Sequence, residues 1–152
     1  MSPGTPGTIR IGTAGWSVPA RSSGPFPAQG SHLERYAALL NTVEINSSFY
    51  KPHQPKTYVR WAESVPADFR SSVKMPRAIT HEARLRDVDE PLARFAAQAN
   101  SLGDKLGCVL VQLPPRLAFD GASAQEFFAR VHEHFACQVV CEARHPSWFA
   151  DE

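Results

Sequence analysis

Five short runs of alternating apolar and polar residues predict five β-strands. They cover residues 8–13, 42–46, 69–74, 108–113 and 138–143. Successive side chains of a strand point to opposite faces, so each run has one apolar face. In the four runs after the first, the other face carries a polar group near the carboxyl end of the strand. These polar residues are Glu44, Asn46, Lys74, Gln112 and Glu142.

Between the runs, apolar residues recur at the i, i+3, i+4, i+7 spacing of amphipathic helices. Serine with glutamate three residues later is a capping box, and it occurs at Ser31 and at Ser123. Proline is favoured at the first helical position, and a glycine such as Gly103 is a typical helix stop. These signals predict helices that begin at Ser31, at Pro55, at about Glu90 (ending near Leu102) and at Ser123.

Strands that alternate with helices are typical of a parallel sheet with right-handed crossovers. A doubly wound open sheet also fits, but the chain lacks the G-x-G-x-x-G fingerprint of that fold. Polar groups at successive strand ends favour a TIM-type (β/α) barrel, which needs eight strands and about 250 residues. This chain has 152 residues and five predicted strands. We therefore predict an α/β fold, a TIM-type barrel truncated to about five β/α units with parallel strands, over residues 8–152. Residues 1–7 are predicted to form a flexible tail.

The composition is that of an ordinary globular domain, with 43% hydrophobic residues. The 16 basic and 15 acidic residues give a formal net charge of +1, which argues against nucleic acid or an anionic membrane as partner. A local basic patch stays open as an alternative. No run approaches the ~18 apolar residues of a membrane span, and the first residues lack the features of a signal peptide. We expect a cytoplasmic protein.

The three cysteines are Cys108, Cys137 and Cys141, and an odd number argues against a disulfide framework. Cys137 and Cys141 would lie about 13 Å apart in an extended strand, too far apart to share one metal ion. We predict buried free thiols, with neither a metal site nor a cofactor.

Two carboxylates that flank a barrel pocket are typical of acid–base catalysis, as in glycoside hydrolysis. Glu44 and Glu142 are the candidates for that role, and Lys74 is a third candidate catalytic residue. The alternative is structural: Glu44 would pair with Lys74, and Glu142 would pair with Arg144. Pairing is expected on either interpretation, because an unpartnered buried charge is very costly.

Further residues at the strand ends are candidates for ligand contacts. Lysine and arginine can hold a phosphate or carboxylate, histidine can transfer protons near neutral pH, and aromatic rings can stack on sugars or bases. Each also has a structural alternative, as a loop charge, a turn residue or a packed ring. The candidates are Trp16, Asn46, Tyr50, Arg77, His81, Gln112, Arg144, His145 and Trp148. A serine nucleophile is not expected, because Ser47 and Ser48 have no adjacent histidine and no G-x-S-x-G motif is present.

Six motifs run through nearly the whole chain. They are I-G-T-A-G-W (11–16), N-T-V-E-I-N-S-S-F-Y (41–50), P-K-T-Y-V-R-W (55–61), F-R-S-S-V-K-M-P-R-A-I-T-H (69–81), L-G-C-V-L-V-Q-L-P-P (106–115) and E-A-R-H-P-S-W (142–148). In this order the chain resembles the YecE-like family, the domain-of-unknown-function family numbered seventy-two. The resemblance implies a TIM-type barrel longer than this chain by about three β/α units, and it implies no reaction. Ala14 and Val18 stand where members of the family often have serine and tyrosine.

Three functional hypotheses follow from these patterns. The first is a pocket at the carboxyl ends of the strands for a small polar or anionic ligand, such as a sugar or a phosphorylated metabolite. The second is a nucleic-acid binding or processing protein that uses the basic residues Lys74, Arg77, Arg84, Arg86 and Arg144. The third is a truncated product without activity, whose exposed strand edges would favour self-association. Whether the chain is an enzyme stays open.

Overall fold

A parallel four-stranded sheet forms the centre of the structure, a computed structural model that describes residues 8–150. The strands are β1 (Thr42–Ile45), β2 (Arg70–Lys74), β3 (Leu106–Gln112) and β4 (Gln138–Glu142). They lie in the order β1-β2-β3-β4, so each strand pairs with its neighbours in the chain. The predicted α/β fold with parallel strands is confirmed. The sheet of the described residues is open, and it does not close into a barrel.

Helices connect the strands, as parallel pairing requires. The α-helices of the described residues are α1 (His32–Ala37), α2 (Pro55–Glu63), α3 (Asp89–Ala99) and α4 (Gly121–His134). The predicted capping box of α1 is confirmed: the Ser31 hydroxyl accepts from the Glu34 N–H at 3.2 Å, and the Glu34 carboxylate accepts from the Ser31 N–H at 2.7 Å. The predicted start of α2 at Pro55 is also confirmed.

The predicted capping box at Ser123 is wrong. α4 begins earlier, and Asp120 is its N-cap, because the Asp120 carboxylate accepts from the Ser123 N–H at 2.8 Å. An ionised carboxylate makes a charge-assisted hydrogen bond at the positive end of the helix dipole, which makes it a strong cap. Hydrogen bonds from the backbone and the side chain of Ser123 lower the pKa of Asp120.

The first predicted strand, at residues 8–13, does not form a regular strand. Within the described residues, this segment meets β1 at one bridge, between Ala14 and Glu44. The Gly15 N–H donates to the Glu44 carbonyl at 2.8 Å, and the Glu44 N–H donates to the Thr13 carbonyl at 3.0 Å. The structure therefore has four strands where five were predicted.

Side chains occupy the hydrogen-bonding positions that a longer ladder would use. The Tyr36 hydroxyl accepts from the Thr13 N–H at 2.8 Å and donates to the Thr42 carbonyl at 2.9 Å. The Asn41 side-chain carbonyl accepts from the Ile11 N–H at 3.1 Å. Because these backbone groups are satisfied by side chains, the segment is held beside β1 with no strand pairing beyond the bridge at Ala14.

The two faces of the sheet differ in polarity and burial. On one face, Val43, Ile45, Val73, Val109 and Val111 are buried. They form one apolar cluster with side chains of the helices, among them Tyr58, Leu92, Phe95 and Phe127. The opposite face, here called the open face, is half-buried or exposed except at Lys74. It carries Glu44, Ser72, Lys74, Cys108, Leu110, Gln112, Val140 and Glu142.

The cysteines are free thiols, as predicted, but the prediction that they are buried is wrong. Cys141 is exposed, and Cys108 and Cys137 are half-buried. Cys141 lies on β4, which among the described strands pairs only with β3. A strand at the edge of a sheet has fewer neighbours to cover its side chains, which explains the exposure of this thiol.

The predicted flexible tail at residues 1–7 lies outside the described residues. Among residues 8–150, none of the helices has the length and apolar character needed to cross a membrane.

The substitution Gly12→Ala tests how closely the N-terminal segment packs on β1. A Cβ atom at residue 12 would lie 2.0 Å from the Thr42 carbonyl oxygen, so the segment would have to move away from β1. We expect a loss of about 1–3 kcal/mol in the free energy of unfolding, the usual range for overpacking, measured by urea denaturation. Gly24→Ala is the matched control, because a Cβ there meets nothing within 4 Å. Equal stability of the two variants would contradict the close packing.

Candidate functional site

Polar side chains gather where β2, β3 and β4 end on the open face. Gln112 and Glu142 are direct partners in the register of β3 and β4, and Lys74 pairs with Leu110, two residues before Gln112. The carboxyl edge of a parallel sheet is where α/β proteins commonly bind ligands. Two loop residues join the group, and the set is here called the strand-end cluster: Lys74, His81, Gln112, Glu142 and Arg144.

Glu142 is held on both of its carboxylate oxygens. The Arg144 guanidinium donates to Oε1 from Nε at 3.0 Å and from Nη2 at 2.9 Å, and the Gln112 amide donates to Oε2 at 3.0 Å. The hydrogen bond from Gln112, followed by those from Arg144, lowers the pKa of Glu142. The carboxylate is therefore ionised at neutral pH, and the expected pairing with Arg144 is confirmed.

Lys74 has an aromatic neighbour rather than the expected carboxylate. Its side chain is only 8% exposed, and its ammonium nitrogen lies 4.4 Å from the centre of the Phe49 ring. No ion pair among the described residues joins it to Glu44. The register explains why that predicted pair is wrong: Glu44 lies opposite Ser72, so Lys74 is two residues, roughly 6.6 Å, further along the sheet.

His81 is contributed by a π-helical turn after β2, Ala78–Glu82. Its Nδ1 atom lies 2.8 Å from the Thr80 hydroxyl, and its ring packs edge-on against Phe49 at a centroid distance of 5.0 Å. Burial lowers the pKa of His81, and the positive charges of Arg77, Lys74 and Arg144 lower it further. The imidazole is therefore neutral at pH 7, and the cations that surround it create a positive potential.

Arg77 contributes to this potential but has a partner of its own. Its guanidinium lies 3.1 Å from the Glu82 carboxylate, and both side chains are more than half exposed. It lines a separate cavity of about 260 Å³ that lies between Tyr50 and α3. Exposed ion pairs of this kind contribute little to stability, so Arg77 can change partners at low cost.

Glu44 and Glu142 lie too far apart to act as a pair of carboxylates on one bond. The register aligns Glu44, Ser72, Cys108 and Gln138 in one row across the sheet. Glu142 is four residues beyond Gln138, or about 13 Å along the strand. Glycosidase carboxylates lie about 5–9.5 Å apart, so the register argues against a glycoside hydrolase pair.

Three candidate ligand contacts lie in a different place, beyond the end of β1. Trp16, Asn46 and Tyr50 line a cavity of about 550 Å³, here called the β1 cavity, together with Ala14, Gly15, Ser17, His32 and Ser47. The Trp16 ring also packs edge-on against Trp61 of α2, with the ring centres 5.0 Å apart. The lining of this cavity includes no residue of the strand-end cluster, although Tyr50 also packs edge-on against Phe49, with the ring centres 5.0 Å apart.

His145 and Trp148 have contacts typical of a structural role. The His145 ring accepts from the Ser147 N–H at 3.2 Å and caps the turn Pro146–Phe149. The Trp148 indole donates to the Leu117 carbonyl at 2.8 Å and packs edge-on against Phe119. Trp148 also lines a cavity of about 460 Å³ together with Arg84, Arg86 and Arg116.

One close pair was missed in the sequence. The Ser47 hydroxyl lies 2.8 Å from Nε2 of His53. The two are six positions apart in the chain, and the helical turn Ser47–Phe49 lies between β1 and His53. The sequence signal for this pair was His53, shortly before the start of α2, but its contact with Ser47 depends on the conformation of the loop.

Comparison with known proteins places the chain among proteins of unknown activity. The family profile described as "Protein of unknown function DUF72" matches residues 10–152. The chain is also similar to the UPF0759 protein YecE of Escherichia coli strain K12, with 34% identity over 144 residues. That alignment covers 93% of this chain and 50% of the relative.

Two solved structures are similar in fold. The DUF72 family protein EF0366 from Enterococcus faecalis V583 aligns with a TM-score of 0.77 and 22% identity, over 94% of this chain and 53% of that one. The DUF72 family protein TM1631 from Thermotoga maritima MSB8 aligns with a TM-score of 0.70 and 24% identity, over 93% of this chain and 58% of that one. The chain thus spans about half the length of the relatives that it matches.

Replacing Lys74 tests whether the cations of the cluster act on His81. In Lys74→Met the side chain keeps its length and loses its charge, so the pKa of His81 should rise, as followed by NMR titration of its ring protons. Lys56→Met, which removes an exposed charge from the first turn of α2, should leave that pKa unchanged. An unchanged His81 titration in Lys74→Met would show that Lys74 does not reach the histidine.

Proposed function

Because the chain belongs to the DUF72 family, whose description names no activity, we propose a function from the chemistry of its own site. The strand-end cluster binds a small anionic ligand, such as a sugar phosphate or another phosphorylated metabolite. The observation that carries this proposal is the contact of both the Lys74 ammonium nitrogen and the His81 ring with the Phe49 ring, at 4.4 and 5.0 Å, at the carboxyl edge of the sheet. The family assignment names no ligand, so the ligand is proposed from the side chains of the cluster.

The charge of Lys74 favours an anion. Lys74 as a whole residue is only 8% exposed, and within residues 8–150 its ammonium group forms no ion pair with a carboxylate. The face of Phe49 offsets part of the cost of burying this charge through a cation–π contact. A bound phosphate or carboxylate would supply the missing counter-charge, with a charge-assisted hydrogen bond.

Arg144 and Gln112 favour a ligand that also carries hydroxyl groups. Both side chains donate to Glu142, which holds an ionised carboxylate in a fixed orientation at the end of β4. Such a carboxylate accepts hydrogen bonds from sugar hydroxyls. A ligand with a phosphate at one end and hydroxyl groups at the other therefore matches the arrangement of charges.

The protonation states define which proton transfers suit this cluster. Glu142 is ionised and His81 is neutral at pH 7, so both are proton acceptors. Lys74 supplies positive charge that would stabilise an anion formed when the ligand loses a proton. Glu142, His81 and Lys74 are thus our candidates for chemistry, and Glu44 is left out because of its distance.

The nucleic-acid hypothesis gains no support from the arrangement of the basic residues. Negative charge lies next to three of its five cations, since Arg77 faces Glu82, Arg86 faces Asp120 and Arg144 faces Glu142. Nucleic-acid binding depends on a continuous basic surface that can release counterions from many phosphates.

Titration calorimetry with glucose 6-phosphate, and with glucose as the neutral comparison, tests the proposal. We expect the phosphate ester to bind and glucose to bind much more weakly. Lys74→Met and Arg144→Gln should each weaken binding about 10-fold, about 1.4 kcal/mol. Lys56→Met is the matched control for a lost positive charge. Equal binding of glucose, or an equal loss in the control, would contradict an anion site in this cluster.

The affinity for a non-titrating anion should depend on pH through His81. A bound anion stabilises the protonated imidazole and raises its pKa, so by linkage the affinity for sulfate should increase as the pH falls from 7.5 towards 5. In His81→Gln this increase should be lost, while binding at pH 7.5 should change little. A pH dependence that persists in His81→Gln would assign it to another group.

A further inference from the structure

Ser47 and His53 have the geometry of a nucleophile and its general base. The Ser47 hydroxyl lies 2.8 Å from His53 Nε2, within the distance at which an imidazole can accept the hydroxyl proton. Ser47 begins the helical turn after β1, and His53 lies in the loop just before α2. The pair therefore belongs to the same carboxyl edge of the sheet as the strand-end cluster, but it uses different residues.

Aromatic rings fix the orientation of the imidazole. The His53 ring packs edge-on against Trp61 at 5.1 Å and against Tyr58 at 5.8 Å, measured between ring centres. Tyr58 is fully buried, so it provides a rigid support. Burial lowers the pKa of His53, and the charge of Lys51 lowers it further. At pH 7 the ring is therefore neutral and can accept a proton.

The serine is open to a cavity of suitable size. Ser47 is exposed and lines the β1 cavity, whose volume is about 550 Å³. Trp16 and Tyr50 give this cavity an aromatic wall, which favours an apolar group. Asn46 lines the same cavity, and its side-chain amide is a candidate donor to an oxyanion formed beside Ser47.

The neighbouring serine shows that this exposure is specific to one position. Ser48 is 2% exposed, and its hydroxyl is directed at two backbone carbonyls, those of Ile45 at 2.9 Å and Lys74 at 2.6 Å. Ser48 thus ties β1 to β2. Ser47, next to it, directs its hydroxyl at an imidazole instead, in the wall of a cavity.

We infer that Ser47 and His53 form a catalytic pair that takes up small acyl groups from activated esters. The Ser47 oxygen attacks the carbonyl carbon of the ester while His53 Nε2 takes the hydroxyl proton. The carbon–oxygen ester bond breaks, and the leaving alkoxide receives that proton from His53. A water molecule, activated by the same imidazole, then hydrolyses the acyl-serine and restores the free hydroxyl.

Labelling of the full chain with an alkyl fluorophosphonate tests this inference directly. The Ser47 oxygen would attack phosphorus and fluoride would leave, so one covalent adduct should appear by mass spectrometry and map to Ser47. Ser47→Ala should show no adduct, and His53→Gln should react more slowly by a factor of about 100 or more. Ser22→Ala, the loss of an exposed serine outside the cavity, is the control and should react as the parent does.

The pH profile and an ester substrate separate catalysis from simple exposure. The labelling rate should rise through a pKa below 6.5 and level off by pH 7, as the neutral imidazole forms. With p-nitrophenyl acetate, a burst of one nitrophenolate per chain should precede slow turnover, and Ser47→Ala should lose the burst while keeping its sulfate affinity. An adduct at another residue, an equal rate in His53→Gln, or the absence of a burst would overturn the inference.

Discussion

The register of the parallel ladder is the constraint on which the rest of the molecule depends. Because every strand pairs with its neighbour in the chain, side chains from four strands fall into common rows across the sheet. A slip of one residue in any pairing would exchange the helix-covered face and the open face of that strand. The hydrogen bonds that bury Val73 and Val109 thus also place Lys74, Gln112 and Glu142 on the open face at one edge.

Local signals in the sequence were sufficient for the local structure. Alternation predicted β1 to β4 within a few residues, and the capping box at Ser31 and the proline at residue 55 predicted the starts of two helices. Asp120 displaced Ser123 as a cap because two good capping residues compete within one turn. Residues 8–13 have the composition of a strand, yet the side chains of Tyr36 and Asn41 accept hydrogen bonds from their backbone N–H groups. Strand propensity alone does not predict these hydrogen bonds.

The candidate site was predictable in its residue types but not in its distances. In any parallel sheet whose strands follow chain order, Gln112 and Glu142 lie close together because both are at strand ends. Glu142 and Arg144 are only two positions apart in the sequence, so their pairing was also predictable. The separation of Glu44 from Glu142 depends on three successive registers, which no sequence pattern specifies. The contact of Ser47 with His53 depends on one loop conformation, so the lack of a histidine adjacent to Ser47 in the sequence does not exclude it. A net charge of +1 likewise gave no sign of a local concentration of cations around His81.

The position of β4 has a consequence for how the site and the fold respond to fluctuations. Within the described sheet β4 pairs only with β3, whereas β2 and β3 are flanked on both sides. Strands with one partner open locally at a lower free energy than the central strands of the same sheet. When β4 opens, Glu142 and the nearby Arg144 would move away from the sheet with it, while Lys74 would keep its place on β2. Within the described sheet, we therefore expect the strand-end cluster to come apart and reassemble while the core remains folded, on a shorter timescale than global unfolding.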